Sequence, residues 1–438
     1  MVVVAIVAVC WCWLMAASPR FFSPCHVRRA RVNRDVRGRS IDGTIAVVAR
    51  FIPAMASRAS ICLLGFALAC RGEAVGQPTP GPATTSGAPT AGPPAPGTAP
   101  TAATRSAHHG RADHRGVVVA IGIASRVGAD GPADASPKRA RLGEPVTLYA
   151  VVEVDDGGRR AIYSDAPRLR WRKREVAVRP LAEGPALALA WSKIEPTAAN
   201  LSNTQSGSFR YEAIPYAATP MAAGQGSVTA DVHPTLTPDH GGGVGTMRYQ
   251  VVATQGDRTI ASPGIAARKR RAAGGLTDEV HRITVRRDDS FLGYLTEMYG
   301  QPYIWASAGP SDRAHQSEQL EGSDCADLMV YGARRAGLAI PYGYTGTLKR
   351  HARVLATGAL ADDGVYRDRR GQPIAFPQPG DLILFPRHVG ALTVDRGTPG
   401  VLDVDDLMIH TLFDSPKEQA LRDSGYADNA IELLRWKR

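Results

Sequence analysis

The apolar pattern of this chain changes once, near residue 288, and that change limits the architectures open to it. Between residues 117 and 287 the apolar residues fall in short runs: VVVAIGIAS (117–125), EPVTLYAVVEV (144–154), RLRWRK (168–173), SFRYEAI (208–214), MRYQVVAT (247–254) and HRITVRR (281–287). The runs are rich in β-branched and aromatic residues, and clusters of Gly, Pro, Asn and Asp separate them. Short strands with such turn signals predict a β-sandwich of immunoglobulin-like type. No cysteine pair is present to staple it, and Trp171 and Trp191 are expected in its core. His233, Asp239 and His240 lie in a Gly/Pro-rich loop and read as loop residues rather than metal ligands. The run RKRR (268–271) reads as a solvated loop.

From Asp288 the period becomes helical. DDSFLGYLTEMYG places Ser290 before an apolar-periodic run and Gly300 after it, which predicts a capped helix. GSDCADLMVYGARRAGLAIP (322–341) predicts a second. Ser323 or Asp324 caps it, Leu328, Met329, Gly332, Ala333 and Ala336 share its packed face, and Gly337 ends it. PGDLILFPRHVGALTVD (379–395) and VLDVDDLMIHTLF (401–413) then predict strands that carry His388 and His410. Residues 288–438 are therefore expected to form an α+β domain.

The amino-terminal part has a different composition. Residues 71–116 form a Pro/Thr/Ala/Gly-rich linker that cannot bury apolar surface. Its histidines, His108, His109 and His114, are expected in solvent. Residues 1–70 read as a signal region. MASRASICLLGFALAC, starting at Met55, has Arg58, an apolar run from Ile61 to Ala69, and then Cys70. That is the order of an export signal. ALAC resembles a bacterial lipoprotein cleavage box, with Ala67 where leucine is usual. The expectations are translation from Met55 and export, with Cys70 lipidated or, as the alternative, an ordinary export signal cut nearby. The net charge of +11 is concentrated in the same region: residues 1–116 hold 13 Arg, no Lys and 4 acids, while the rest hold 39 basic and 37 acidic side chains. The body is near neutral and offers no basic face for phosphates, so nucleic acid is set aside as a partner.

Five of the six cysteines lie in the first 70 residues, which leaves Cys325 as the only thiol of the body. In an exported protein an unpaired cysteine points to a reactive thiol or an intermolecular partner. Cys325 falls in the first turn of its helix, where free amides and the helix dipole are expected to stabilise a thiolate. A cysteine nucleophile needs a base, and the base needs an orienting group. His388 and His410, on strands that could pair antiparallel, are the candidates.

The series PYIW, DCADLMVYGARRAGLAIP, PGDLILF, HVGALTV and MIHT resembles the NlpC family of bacterial cell-wall cysteine peptidases, over residues 290–438 or so. The resemblance implies a papain-like fold, with Cys325 as nucleophile, His388 as base and His410 as its orienter. It also implies that the Tyr303 hydroxyl sits close to the thiol and helps polarise the substrate carbonyl. The substrate class it implies is the peptide stem of peptidoglycan, often cut at the D-glutamyl–diaminopimelate bond. This chain departs from the pattern at Ala326-Asp327, where the family has Ser-Gly, and Asp327 is expected to raise the thiol pKa or to select a cationic substrate group. Asp324 is expected to support the site from the cap position. The stretches between Tyr303 and Cys325 and over 345–378 are long, which is expected to reshape the groove. Only Pro386 and Arg387 separate the strand LILF from His388, and the connection from His388 to His410 is longer than in the family.

The combined reading is an exported cysteine hydrolase, with or without a lipid anchor on Cys70, that cleaves stem peptides through an acyl-enzyme. It implies no metal and no organic cofactor. The alternatives are another thiol amidase or acyltransferase on the same scaffold, and an inactive envelope binding protein.

Overall fold

The computed structural model describes residues 116–269 and 274–437. The expected start at Met55, the lipidation residue Cys70, the signal region and nearly all of the linker lie outside the described residues, as do Arg270 and Arg271. The described chain is mainly β, with few helices.

Two sheets build the first half. In one, the long strands Val117–Val127 and Val146–Asp156 pair antiparallel through most of their length. In the other, Ala188–Pro196 and Gly245–Gln255 pair antiparallel, flanked by Tyr216–Ala223 and His281–Arg286. Alternate side chains meet between them. Ile121, Ile123, Leu148 and Val152 of the first face Trp191, Met247, Tyr249 and Ile283 of the second in one core. Trp191 is fully buried there, while Trp171 packs half-buried against a smaller cluster on the first sheet. The segment 208–214 is not a strand. Its only ladder contact is the single bridge of Arg210 to Thr204, and the neighbouring strand begins at Tyr216.

The strand His281–Arg286 ends where the apolar pattern of the sequence turns helical. Beyond it the expected capped helix is Phe291–Leu295, with Ser290 accepting from the Gly293 amide and a 3-10 turn running on through Thr296–Met298. Gly300, at φ 72°, takes the left-handed conformation that ends it. The second helix is Cys325–Arg335. Gly337, at φ 95°, ends that one. Its apolar face packs as expected, except that Ala336 falls past the last turn and is exposed.

An antiparallel seven-stranded sheet completes this half: Tyr366–Arg367, Ala352–Leu360, Ile431–Trp436, Leu382–Leu384, Val389–Val394, Leu407–His410 and Lys417–Ala420, in that order. The long segment 345–378 thus supplies two of its strands. Leu382, Leu384, Val389, Ala391 and Leu434 cover one face and pack on the two helices. Ile383, Phe385, Leu392, Met408 and Leu433 form a second core on the other.

Specific contacts stitch the halves together. Tyr303–Trp305 pairs parallel with Asn200–Ser202. Glu297 is fully buried and bonds Arg139, Tyr331 and Arg335, the last at 3.1 and 3.2 Å. Arg248 donates to Gln301 at 3.1 Å and to the Leu320 carbonyl at 2.9 Å. Lys269 belongs to this seam too and Arg268 is tied down within the first half, so the expected solvated loop is corrected at both. Arg268 donates to the Ile214 carbonyl at 2.6 Å and lies over the Tyr216 ring, and Lys269 pairs with the buried Glu321.

Candidate active site

Cys325 is the first residue of its helix because the chain turns there out of a β-bridge. Tyr303 bridges Ser323 in parallel, the Asp324 amide donates to Ser307 Oγ at 3.0 Å, and the Asp324 carboxylate caps the Asp327 amide at 2.9 Å. An Asp at the cap satisfies an amide that has no carbonyl four residues back. Cys325 is 7% exposed and unpaired.

His388 stands one residue before Val389–Val394, on a tight hairpin closed by the Phe385 amide donating to the His388 carbonyl at 2.8 Å. That turn accommodates Pro386 and Arg387 and accounts for the short spacing. His410 ends Leu407–His410, the antiparallel neighbour of that strand. The two buried imidazoles meet, with His388 Nε2 2.7 Å from His410 Nδ1. His388 Nδ1 and His410 Nε2 have no hydrogen-bond partner among the described residues. The Gln419 amide lies close enough to His410 to favour its protonated form, but makes no bond of good geometry.

The thiol and the imidazole share a wall. The Val389 amide, next to His388 in the chain, points at the Cys325 sulfur. No hydrogen bond joins Cys325 to His388 among the described residues. Two aromatic rings hold the His388 plane: Tyr426 at 4.8 Å and Phe385 at 6.0 Å, tilted by 27° and 15°. Tyr303 is buried, with its ring edge-on to Phe413 at 5.6 Å, and its hydroxyl feels the charges of Cys325 and Asp324. Cys325, His388, His410, Tyr303 and Asp324 therefore gather in one place.

The electrostatics differ from the sequence expectation. Burial pushes the Cys325 thiol pKa up, and the Asp324 and Asp327 charges push it further. The Val389 and Ala326 amides pull the other way and are outweighed. The helix start does not yield a low thiol pKa here because it is desolvated and flanked by two acids. Asp324, though only half-buried as a residue, has its own pKa raised to about 6, by burial first. His388 is lowered to about 3 by burial and by His410. His410 is lowered to about 4 by burial and by Lys417. At neutral pH the resting site holds a thiol and two neutral rings.

Asp327 does not face solvent. Its buried carboxyl accepts from Ser307 Oγ and lies 3.5 Å from His315 Nε2. It acts on the thiol through charge and offers no surface to a cationic substrate group. His315 is buried and stacks on Tyr342 at 3.7 Å. His233 and His240 each pair with an acid, Asp231 at 2.7 Å and Asp414 at 2.9 Å.

Sequence reasoning missed Tyr426 and Phe385 around His388, and Ser307 and His315 behind Asp327. Phe385 lies on the LILF strand pattern and carries only a core signal. Tyr426 and His315 sit in polar stretches with no periodicity, so nothing local marks them. Compared with family models, with curated proteins and with solved structures, the chain matches none of them.

Proposed function

We propose that residues 288–438 are a papain-like α+β hydrolase of the NlpC type behind an immunoglobulin-like sandwich, and that the protein is an exported peptidoglycan endopeptidase anchored through Cys70. One observation carries the reading: His388 Nε2 is held by His410 Nδ1 at 2.7 Å with Nδ1 left without a partner among the described residues, and the Tyr426 ring that stacks on His388 at 4.8 Å feels the Cys325 charge. To take the thiol proton, His388 Nδ1 must be unprotonated. Nε2 then carries the ring hydrogen and donates it to His410 Nδ1, so His410 fixes the tautomer.

The chemistry follows. The Cys325 sulfur attacks the amide carbonyl as its proton passes to His388 Nδ1. The C–N bond breaks, the leaving amine takes that proton, and a thioester remains on Cys325. Water, activated by His388, then releases the acid. The Cys325 amide lacks an intrahelical acceptor and can donate to the oxyanion, with the Tyr303 hydroxyl beside it. The raised thiol pKa makes proton transfer part of the reaction rather than a resting ion pair. Burial sets most of that cost, and Asp324 and Asp327 add to it.

The test is digestion of purified peptidoglycan with the wild-type protein and with Cys325→Ala, read by mass spectrometry of the fragments. New free amines within the peptide stems, absent with Cys325→Ala, support the endopeptidase. Release of the whole stem from the sugar would instead identify an amidase. Intact mass of the membrane fraction tests the anchor: a diacyl adduct on Cys70 is expected, and its absence removes that part of the reading. The buried, raised thiol favours one rival, a binding domain that keeps the fold without the chemistry. Unchanged digestion products with Cys325→Ala would decide for it.

A further inference from the structure

A second feature lies on the sheet, outside the cysteine site. An open groove of about 540 Å³ runs between the 3-10 turn Thr345–Arg350 and the sheet. Its floor is made of small residues, among them Gly346, Thr357, Gly358 and Ala430. Its wall is Leu384, Phe385 and Pro386, the limb of the hairpin opposite His388. Leu384 pairs with Val389, and the Phe385 ring stacks on His388, so groove and site share one hairpin.

Two of the three cations that line the groove are paired with acids. Lys349 pairs with Glu432 at 2.9 Å and Arg367 with Asp363 at 2.6 Å. Asp368 accepts from the Arg370 and Gln372 amides at 2.8 and 2.9 Å. Arg369 lines the groove with an exposed side chain and has no ion pair or hydrogen bond among the described residues. A small-residue floor admits an extended chain, and a free guanidinium at its side matches a carboxylate in bidentate geometry.

We propose that this groove receives the peptide segment on the leaving side of the cleaved bond, and that Arg369 binds a carboxylate carried by that segment. The inference rests on the hydrolase reading above for its direction: His388 must hand its proton to the leaving nitrogen, so the leaving segment exits along the His388 hairpin. The substrate class is then a peptide with an acidic group beyond the cleaved bond, and Arg369 determines specificity without touching the reacting atoms.

The test is binding to the full-length Cys325→Ala protein of the tetrapeptide L-Ala–γ-D-Glu–L-Lys–D-Ala, whose one carboxylate beyond the cleaved bond is terminal, as the free acid or as the terminal amide. The free acid is expected to bind about fivefold more tightly, as one partly exposed ion pair allows. Arg369→Gln should erase that difference, and rising salt should shrink it. In the wild-type background Arg369→Gln should raise KM and leave kcat and the alkylation rate of Cys325 unchanged. Equal affinity for both peptides, a preference that survives Arg369→Gln, or no binding of either peptide would overturn the proposal. A carboxylate preference that depends on Arg369, in a wild-type protein that cleaves nothing, would leave the groove standing and remove the hydrolase.

Discussion

Asp324 touches the chemistry from two sides: it caps the Asp327 amide at 2.9 Å, and its charge helps hold the Cys325 thiol up. Asn caps a helix about as well as Asp but carries no charge. Asp324→Asn should therefore keep the fold and shift the pH midpoint of Cys325 alkylation downward, from a wild-type value above the ~8.5 of a free thiol. An unchanged midpoint would mean that burial alone sets the thiol. At this scale the sequence spoke clearly for Cys325, His388 and His410, because a lone thiol at a helix start and two strand histidines are rare signals. It did not show the sign of the thiol shift. Helix position is local, but desolvation depends on what packs above, and here that is Val389 and the sheet.

The helix Cys325–Arg335 reaches its neighbour closely enough to be read from one glycine. A Cβ at Gly332 would stand 2.4 Å from Leu295 Cδ2. Gly332→Ala should cost about 1–3 kcal/mol in denaturant unfolding, the usual range for overpacking, despite alanine's better helix propensity. A stabilised variant would contradict that packing. In the sandwich, His281 is buried, bonds Ser125 Oγ at 2.8 Å, and is lowered to about 4, chiefly by burial. The unfolded chain takes up its proton from about pH 6.5 downward and the folded one only near 4. His281 thus removes stability as pH falls through that window, by on the order of 3 kcal/mol. His281→Gln should flatten the acid limb of the stability curve between pH 6.5 and 4, relative to wild type. Both capped helices were legible from Ser290, Asp324 and their closing glycines. The central strand Ala188–Pro196 was not, because alanines at 188 and 190 blur the alternation that Leu189 and Trp191 carry. The segment 208–214 had strand composition but lacks a partner ladder, and pairing rather than propensity decides.

The described residues form one compact unit, and its seam is ionic as much as apolar. Glu297 has no exposed surface and takes Arg139 from the strand Lys138–Arg141 and Tyr331 and Arg335 from the helix Cys325–Arg335. Glu297→Ala would leave those two half-buried cations unpaired and the Tyr331 hydroxyl without its acceptor, and should cost about 2–3 kcal/mol. Wild-type unfolding should show a single transition for sandwich and carboxy-terminal half together; two separated transitions would contradict a shared core. No sequence pattern predicts such a seam, since each partner sits alone in its own stretch. The same integration places the Gly-rich loop of His240 against Asp414, in the turn that follows His410. The most direct measurement of the central claim is the intact mass of the protein mixed rapidly with the stem tetrapeptide and quenched in acid. The account predicts a thioester adduct on Cys325 equal in mass to the acyl fragment, lost with Cys325→Ala and with His388→Ala. Fragments released with no adduct and undiminished by Cys325→Ala, or neither fragments nor adduct from the wild type, would contradict it.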